Sequence, residues 1–418
     1  MADLHTLVVA ELYPWPAADG YRQRLHQVIG GLTQAGPVEV VAPSRPGMPE
    51  QAAPPWPGVV RTLTPPIGDP VGPKQWFPEW VAGDVPRRPM TLDWSELVRS
   101  LAVWRDRYDL VWYSHVDAWL PTHDLFGNTP SIVDFDNLEN LSMRLRRRIA
   151  PKIDPDAGLT GRATALAHWA TTRGLDVVDE RRWDAVQRRC ADEVDHVVVC
   201  SELDVERSGC DNAVVVPNGA EPPAVVRTDR RKLHGDVPVL LFVGALDYEP
   251  NHEAMSWFLR DVWPIVHAGR PDAVVRIVGR GADVLGSEAR AAGVELLGSV
   301  ADLQAELDRA DVSIVPIRVG AGTRLKVIEA LANHLPLVTT TVGCEGIAVT
   351  DGRTALLADD ASAFAGAVLR LVADGDLRQR LADEGRVLFE EHYTWAGIRD
   401  DVERLARDTV AAHSTHPA

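Results

Sequence analysis

Gly320, Gly322, Arg324, Lys326 and Glu329 fall in one segment, Val-Gly-Ala-Gly-Thr-Arg-Leu-Lys-Val-Ile-Glu-Ala-Leu-Ala over residues 319–332, which joins a glycine turn, two cations and a carboxylate at the start of an apolar helix. The combination suits a nucleoside diphosphate. Glycines let backbone amides approach an anion closely, and the amides around Gly320 to Thr323 together with the first helical turn offer unpaired N–H groups. Arg324 and Lys326 add full positive charge. Glu329 cannot help bind phosphate, but it can accept both hydroxyls of a ribose. The competing reading is an ordinary strand-turn-helix with surface charges, Arg324 among them in a salt bridge.

The elements that must position these residues alternate along the chain: short β-branched runs and longer helical stretches, the pattern of parallel sheets covered by helices. Strands are expected at residues 6–10, 38–41, 110–113, 131–133 and 196–200, and helices at 21–34, 94–107 and 175–192. Residues 43–89 are dense in Pro, Gly and Trp and are expected to form long loops and short strands. Pro217-Asn218-Gly219 breaks the chain, and a Pro-rich charged segment runs to Pro238. The alternation then restarts, with strands at 239–243, 274–278, 312–316 and 337–340. Helices are expected at 251–268, 302–309, 326–332 and about 361–388, with one last helix after Tyr393-Thr394-Trp395. At 418 residues the chain exceeds one ordinary core. Two doubly wound α/β halves, 1–216 and 217–396, are expected to meet at a cleft, because ligands bind at the carboxyl ends of parallel strands.

Composition narrows the class. Apolar content of 45% and charged content of 25% are those of a soluble globular protein. No run reaches the roughly 18 apolar residues of a membrane span. The N-terminal residues enter an apolar strand without a basic leader or small-residue cleavage site, so a cytoplasmic protein without stable membrane insertion is expected. A net charge of −17 argues against a nucleic-acid partner, which requires a basic footprint. Arg144, Arg146, Arg147, Arg148 and Lys152 form a local exception, read as a solvated helix face paired with acids or as a contact for an anionic surface. Cys190, Cys200, Cys210 and Cys344 lack metal-ligand spacing and are expected to be buried thiols.

Several motifs carry a resemblance. Phe242-Val243-Gly244, the strand end Ile277-Val278-Gly279, Leu297-Gly298-Ser299-Val300 with Asp302-Leu303, Ala310-Asp311-Val312, and Thr323-Arg324-Leu325-Lys326 with Glu329-Ala330 resemble glycosyltransferase family 4 in order and spacing. Val197-Val198-Val199-Cys200-Ser201-Glu202 and Val215-Val216-Pro217-Asn218-Gly219 extend the likeness more loosely into the first half. Asp247-Tyr248-Glu249-Pro250-Asn251 and Gly343-Cys344-Glu345-Gly346 suggest the bacterial branch with an Asp-Tyr-x-Pro-Asn turn.

The resemblance implies a GT-B fold: an acceptor-binding N-terminal domain, onto which the last helix (about 397–413) packs back, and a nucleotide-sugar-binding C-terminal domain. It further implies sugar transfer with retention of anomeric configuration, no bound metal and no cofactor beyond the substrate NDP-sugar. Glu329 matches the second Glu of the family's paired motif. The first would fall at Ala321 and is missing. Many relatives also carry an Arg and a Lys in the turn after the first strand of this domain, where this chain has Asp247, Glu249 and His252. Charge balance for the departing diphosphate therefore falls to Arg324 and Lys326. Gly244 and Gly279 end donor-domain strands, backbone groups around Arg280 and Val300 would read the base, and Gly20 would let the backbone approach the donor phosphates. Tyr21 and Arg22 could then line the acceptor side.

His115 follows Val111-Trp112-Tyr113 at a predicted strand end, which would point it into the cleft. The family often has a His near this place whose polar edge touches the donor sugar, so His115 joins Arg324 and Lys326 as a catalytic candidate; a buried structural histidine is the alternative. Asp134-Phe135-Asp136 after a strand resembles the way metal-dependent GT-A enzymes hold a divalent ion. Such chains carry the pair in a single nucleotide-binding domain, so the metal reading is rejected here. Asp134 and Asn137, with Asp136, Glu139 and Asn140, are instead expected to border the cleft as acceptor-contacting or structural groups, Asp134 serving as a base only if an acceptor reaches it. Eight of the 13 tryptophans lie in residues 15–119, and Trp56, Trp76 and Trp80 either stack on an acceptor or pack the irregular loops.

The favoured function is transfer of a hexose or deoxyhexose from an NDP-sugar to a small metabolite or glycan. A nucleotide-sugar 2-epimerase on the same scaffold, or a non-catalytic nucleotide-sugar-binding protein, are the alternatives.

Overall fold

The computed structural model describes residues 3–43, 52–66, 71–104, 107–147, 158–281 and 285–415. The chain divides into two compact units, Met1–Pro217 with Ala396–Ala418, and Asn218–Trp395.

Unit 1 is built on seven strands: β1 (Thr6–Val9), β2 (Val38–Val41), β3 (Val59–Leu63), β4 (Leu110–Tyr113), β5 (Ser131–Phe135), β6 (His196–Val199) and β7 (Ala213–Val215). They lie in the order β3-β2-β1-β4-β5-β6-β7, and each neighbouring pair is parallel. Every residue of β1, β2 and β4 is buried, as runs such as Thr-Leu-Val-Val require when helices cover both faces. The strand order reverses between β1 and β4, so the segments leaving these two strands share one switch point.

Unit 2 repeats the plan with β8 (Val239–Val243), β9 (Val274–Val278), β10 (Val294–Gly298), β11 (Val312–Val315), β12 (Leu337–Thr339) and β13 (Leu356–Leu357). The order is β10-β9-β8-β11-β12-β13, again all parallel. Its switch point lies between β8 and β11. That is where Gly244 and the turn to Asn251 meet the segment that runs from Ile317 into the helix Leu325–Ala332.

Helix starts follow their caps. Asp19 accepts from the Arg22 amide to open Gly20–Ala35, Asp302 accepts from Ala305 to open Leu303–Arg309, and Asp360 accepts from Ala363 to open Ala361–Ala373. The last helix, Trp395–Thr415, joins unit 1: the Arg399 guanidinium donates to Gln27 Oε1 (2.5 Å), and His413 Nδ1 lies 3.0 Å from Asp195 Oδ1.

Several elements depart from the sequence expectation, each for a physical reason. The helix expected over 251–268 contains a π-helical turn at Phe258–Val262 between Glu249–Trp257 and Trp263–Gly269. Pro264 has no N–H to donate and crowds the preceding turn, and a widened turn accommodates it. The stretch 361–388 is two helices, because Asp374 ends Ala361–Ala373 and caps Gly375–His392 through the Leu377 amide. The helix expected at 175–192 begins at Leu159. Its first turns are largely exposed and show no apolar stripe to signal them. Among the described residues of 94–107 the helix covers Ser95–Leu101, and the Pro-rich stretch contains the helix Pro73–Ala82 besides β3. All four cysteines are buried, and none is in a disulfide.

Candidate functional site

In unit 2, Gly244 follows β8 at a tightly packed strand end. A side chain there would come within 2.8 Å of Asn251 Nδ2 and 2.9 Å of Lys326 Nζ, so glycine is what lets both groups lie on the strand end. Lys326 Nζ donates to Asn251 Oδ1 (2.7 Å) and sits 4.6 Å from the centroid of the Phe242 ring. Burial, reinforced by the charge on Arg324 and opposed by Glu329, pushes the Lys326 ammonium down to about 7. Burial also raises the Glu329 carboxyl, with Lys326 opposing. No ion pair joins Lys326 and Glu329 among the described residues; the opposed shifts are what two desolvated, weakly coupled charges give.

Gly279 ends β9 beside this point with φ 149°, and a Cβ there would lie 2.0 Å from the Gly244 carbonyl oxygen. Gly320 (φ 141°) and Gly322 (φ 80°) bend the segment ahead of the helix Leu325–Ala332 through conformations open to glycine. Thr323 Oγ1 is buried there and meets no hydrogen-bond partner among the described residues. The Arg324 guanidinium turns back onto its own loop, donating to the carbonyls of Ala321 (2.7 Å) and Gly322 (2.5 Å). Sequence reading placed Arg324 and Lys326 as a pair facing phosphate. Of the two, it is Lys326 that rests between strand end and helix, while Arg324 braces the glycine turn. Arg280 pairs with Asp247 (2.7 Å), and Arg318 pairs with Glu253 while lying 4.5 Å from the Trp257 ring centroid. The fold thus brings cations to the acidic turn that the sequence left without one, already matched to carboxylates. Val300, just past β10, packs against the core of unit 2.

In unit 1 the switch point gathers Glu11 from the end of β1 with Ser114 and His115 from the end of β4. Tyr21 Oη and Ser114 Oγ lie 2.6 Å apart, and both accept from the Glu11 amide. His115 caps the short helix Val116–Trp119 and is buried, with Nδ1 2.7 Å from Asp117 and Nε2 3.4 Å from Glu139. Arg88 binds the same two carboxylates and lies over the Trp183 ring. Burial disfavours the His115 charge, but the bonds to Asp117 and Glu139 outweigh it and raise the imidazole to about 10. Both ring nitrogens of His115 thus face carboxylates. A buried structural histidine would show the same partners, Asp117 and Glu139.

Glu11, His115 and Asp117 could each offer one ligand atom to a metal, all within 4.8 Å of one another. As arranged they form an ion-pair cluster: a metal would have to displace both the imidazole proton and Arg88. Asp134 changes role as well. The Arg24 guanidinium grips both its oxygens (2.8 and 3.0 Å) and lies 3.8 Å from Asp136, so the positive charge facing this Asp-x-Asp pair is an arginine of the chain itself. Burial lifts the Asp134 carboxyl to about 6 against the pull of Arg24.

The remaining candidates are more peripheral. Gly20 opens its helix behind Asp19, and Arg22 pairs with Asp19 while donating to the Tyr13 carbonyl (3.0 Å). Asn137 Oδ1 is buried without a partner among the described residues. Trp56 and Trp80 pack rather than present a face: Trp56 donates to the His26 carbonyl and lies on Gly30, and Trp80 donates to Asp179 beneath Arg182. Arg144 and Arg147 pair with Glu180 as a solvated helix face would; Arg148 and Lys152 lie outside the described residues, and of Arg146 only the backbone is described. Sequence reading missed Asn251 as the partner of Lys326, although it had singled out the turn containing it, and missed Glu11 and Arg88, for which direct succession to β1 was the only signal for Glu11.

Residues 237–374, which lie within unit 2, match the family model described as glycosyl transferases group 1. Among curated proteins, an uncharacterized 44.6 kDa protein of the cps region of Klebsiella pneumoniae is 28% identical over 163 residues, 37% of this chain and 42% of that protein. The glycogen synthase of Mycobacterium tuberculosis is 28% identical over 235 residues, 52% of this chain and 55% of that protein. The chain thus spans about half the length of the curated relatives it matches. Similar solved structures include a sucrose-phosphate synthase from Thermosynechococcus elongatus, with a TM-score of 0.67 at 20% identity over 98% of this chain and 100% of that one. Anabaena HepE in complex with UDP-glucose gives 0.61 at 12% identity, over 98% and 100%. The fold is α/β of the GT-B class, with two Rossmann-like parallel-sheet units.

Proposed function

We propose that the protein is a retaining glycosyltransferase that moves a sugar from a nucleoside-diphosphate donor, UDP-linked in the first instance, to a hydroxyl of a small metabolite or glycan, without a metal ion. One observation carries this reading: the Lys326 ammonium and Glu329 carboxylate are half-buried on one helix, beside two strand-end glycines and unpaired with each other, within the span that matches the glycosyl transferase model. UDP is favoured because the structurally similar HepE was solved with UDP-glucose.

Chemistry then divides among the chain's own groups. Cleavage of the anomeric bond builds negative charge on the β-phosphate and oxocarbenium character on the sugar. Lys326 meets the phosphate charge, aided by the amides from Gly320 to Thr323 and the positive end of the helix Leu325–Ala332. Glu329 accepts the ribose hydroxyls. Arg324 holds the glycine turn in shape. Gly20 is the unit 1 candidate for backbone approach to the donor phosphates, and Tyr21, Arg22 and Asn137 are its acceptor-side candidates.

The test is a UDP-sugar panel assayed in EDTA. Slow UDP release without acceptor, faster release with it, and an α-linked product from an α-linked donor by NMR are expected. An inverted product, or loss of all turnover on metal removal, contradicts the reading. The non-catalytic alternative retains one supporting observation: the Arg324 guanidinium faces its own loop carbonyls. Tight nucleotide binding with no donor cleavage under any acceptor would favour it.

A further inference from the structure

Lys326 is held by a neutral group. Its ammonium donates to Asn251 Oδ1 at 2.7 Å, and the amide cannot turn over without loss, because Asn251 Nδ2 donates to the Ala245 carbonyl at 2.8 Å. The Asn251 backbone is fixed in turn by its own amide, which bonds the Tyr248 carbonyl (3.0 Å). Gly244 lies against both side chains, and any Cβ there would displace the Asn251 amide and the Lys326 ammonium from their present positions. The other face of the ammonium is taken by the Phe242 ring. Asn251 is itself buried.

We propose that Asn251 is a positioning residue: it aims the Lys326 ammonium and, as a neutral acceptor where a carboxylate would fit, leaves the positive charge uncancelled for the anionic group of a ligand. This rests on the reading of Lys326 as a diphosphate contact. A carboxylate at position 251 would form a buried ion pair with Lys326 and take up the charge internally. Removal of the side chain would strip the ammonium of its acceptor and loosen its direction. The two changes therefore push the lysine's titration in opposite directions, which a residue that merely fills space would not do.

The experiment uses the full chain. Competitive acetylation of Lys326 across pH 5–11, read by peptide mass spectrometry, reports its titration with no ligand present. Calorimetry with UDP, and separately with inorganic pyrophosphate, reports anion binding. Asn251→Asp is expected to raise the labelling midpoint by about one pH unit or more, and Asn251→Ala to lower it. Both are expected to weaken UDP and pyrophosphate by about tenfold or more at pH 7. Circular dichroism identifies any variant that does not fold, and the other variant then carries the test by the sign of its shift. Midpoints that stay at the wild-type value in a folded variant, or unchanged anion affinity, overturn the proposal. Pyrophosphate binding by wild type without UDP binding would instead overturn the nucleotide reading and sustain this one.

Discussion

Lys326 carries its charge where water supports it poorly, and that makes it the residue through which both affinity and turnover should respond. Its amine is held down at about 7 chiefly by burial. A bound diphosphate would raise that value, so binding takes up a proton wherever the free lysine is neutral. Below about pH 7 the free group is already charged and affinity is flat; above it, affinity falls by up to about tenfold per pH unit until the pKa of the complex is passed. Calorimetry in buffers of differing ionisation enthalpy should register this uptake near pH 8, and none near pH 6. Lys326→Ala should lower kcat by about a hundredfold or more, as loss of one group aimed at developing charge does, while weakening UDP much less. Equal losses in both would assign Lys326 to ground-state binding. Arg324, adjacent in sequence and identical in sign, should behave differently, since its guanidinium supports the Ala321 and Gly322 carbonyls.

At the scale of elements, the site depends on strand ends that only glycine can form. Gly279→Ala would force a Cβ to 2.0 Å from the Gly244 carbonyl at φ 149°. It should cost about 2 kcal/mol or more and lower Tm by at least about 4 °C. Gly366→Ala, in the interior of Ala361–Ala373 with open space around the new methyl, should leave Tm unchanged or raise it. Similar Tm losses for the two would contradict the close approach of β8 and β9. The strands were legible in sequence because Val-rich runs buried on both faces have no other stable arrangement. The glycine-cation-carboxylate segment was legible because its parts are contiguous. Asn251 as partner of Lys326 was not, being 75 residues away and brought near only by the parallel neighbourhood of β8 and β11. The solvated start of Leu159–Glu193 was hidden for the opposite reason: it buries no stripe that periodicity could reveal.

For the whole molecule, the repeated alternation of strand and helix was enough to read two doubly wound sheets, and their strand orders place a switch point in each unit. Pattern could not tell how those switch points are furnished. In unit 1 the site is closed by compensated charge, with His115, Arg88, Asp117 and Glu139 in one cluster and Arg24 on Asp134 in another. In unit 2 the Lys326 ammonium has a neutral amide for its hydrogen-bond partner. Among the described residues no helix is long and apolar enough to cross a membrane. The asymmetry between the units leads to the most direct measurement, a thermal-shift titration of the purified protein with UDP, GDP, ADP and dTDP, each with Mg²⁺ and with EDTA, alongside Glu329→Ala. A nucleotide that binds only the native state must raise Tm. The expected result is a rise with UDP that is the same in EDTA and is lost in Glu329→Ala. No rise with any nucleotide, or a rise that requires Mg²⁺, would contradict a metal-independent donor site at Lys326 and Glu329.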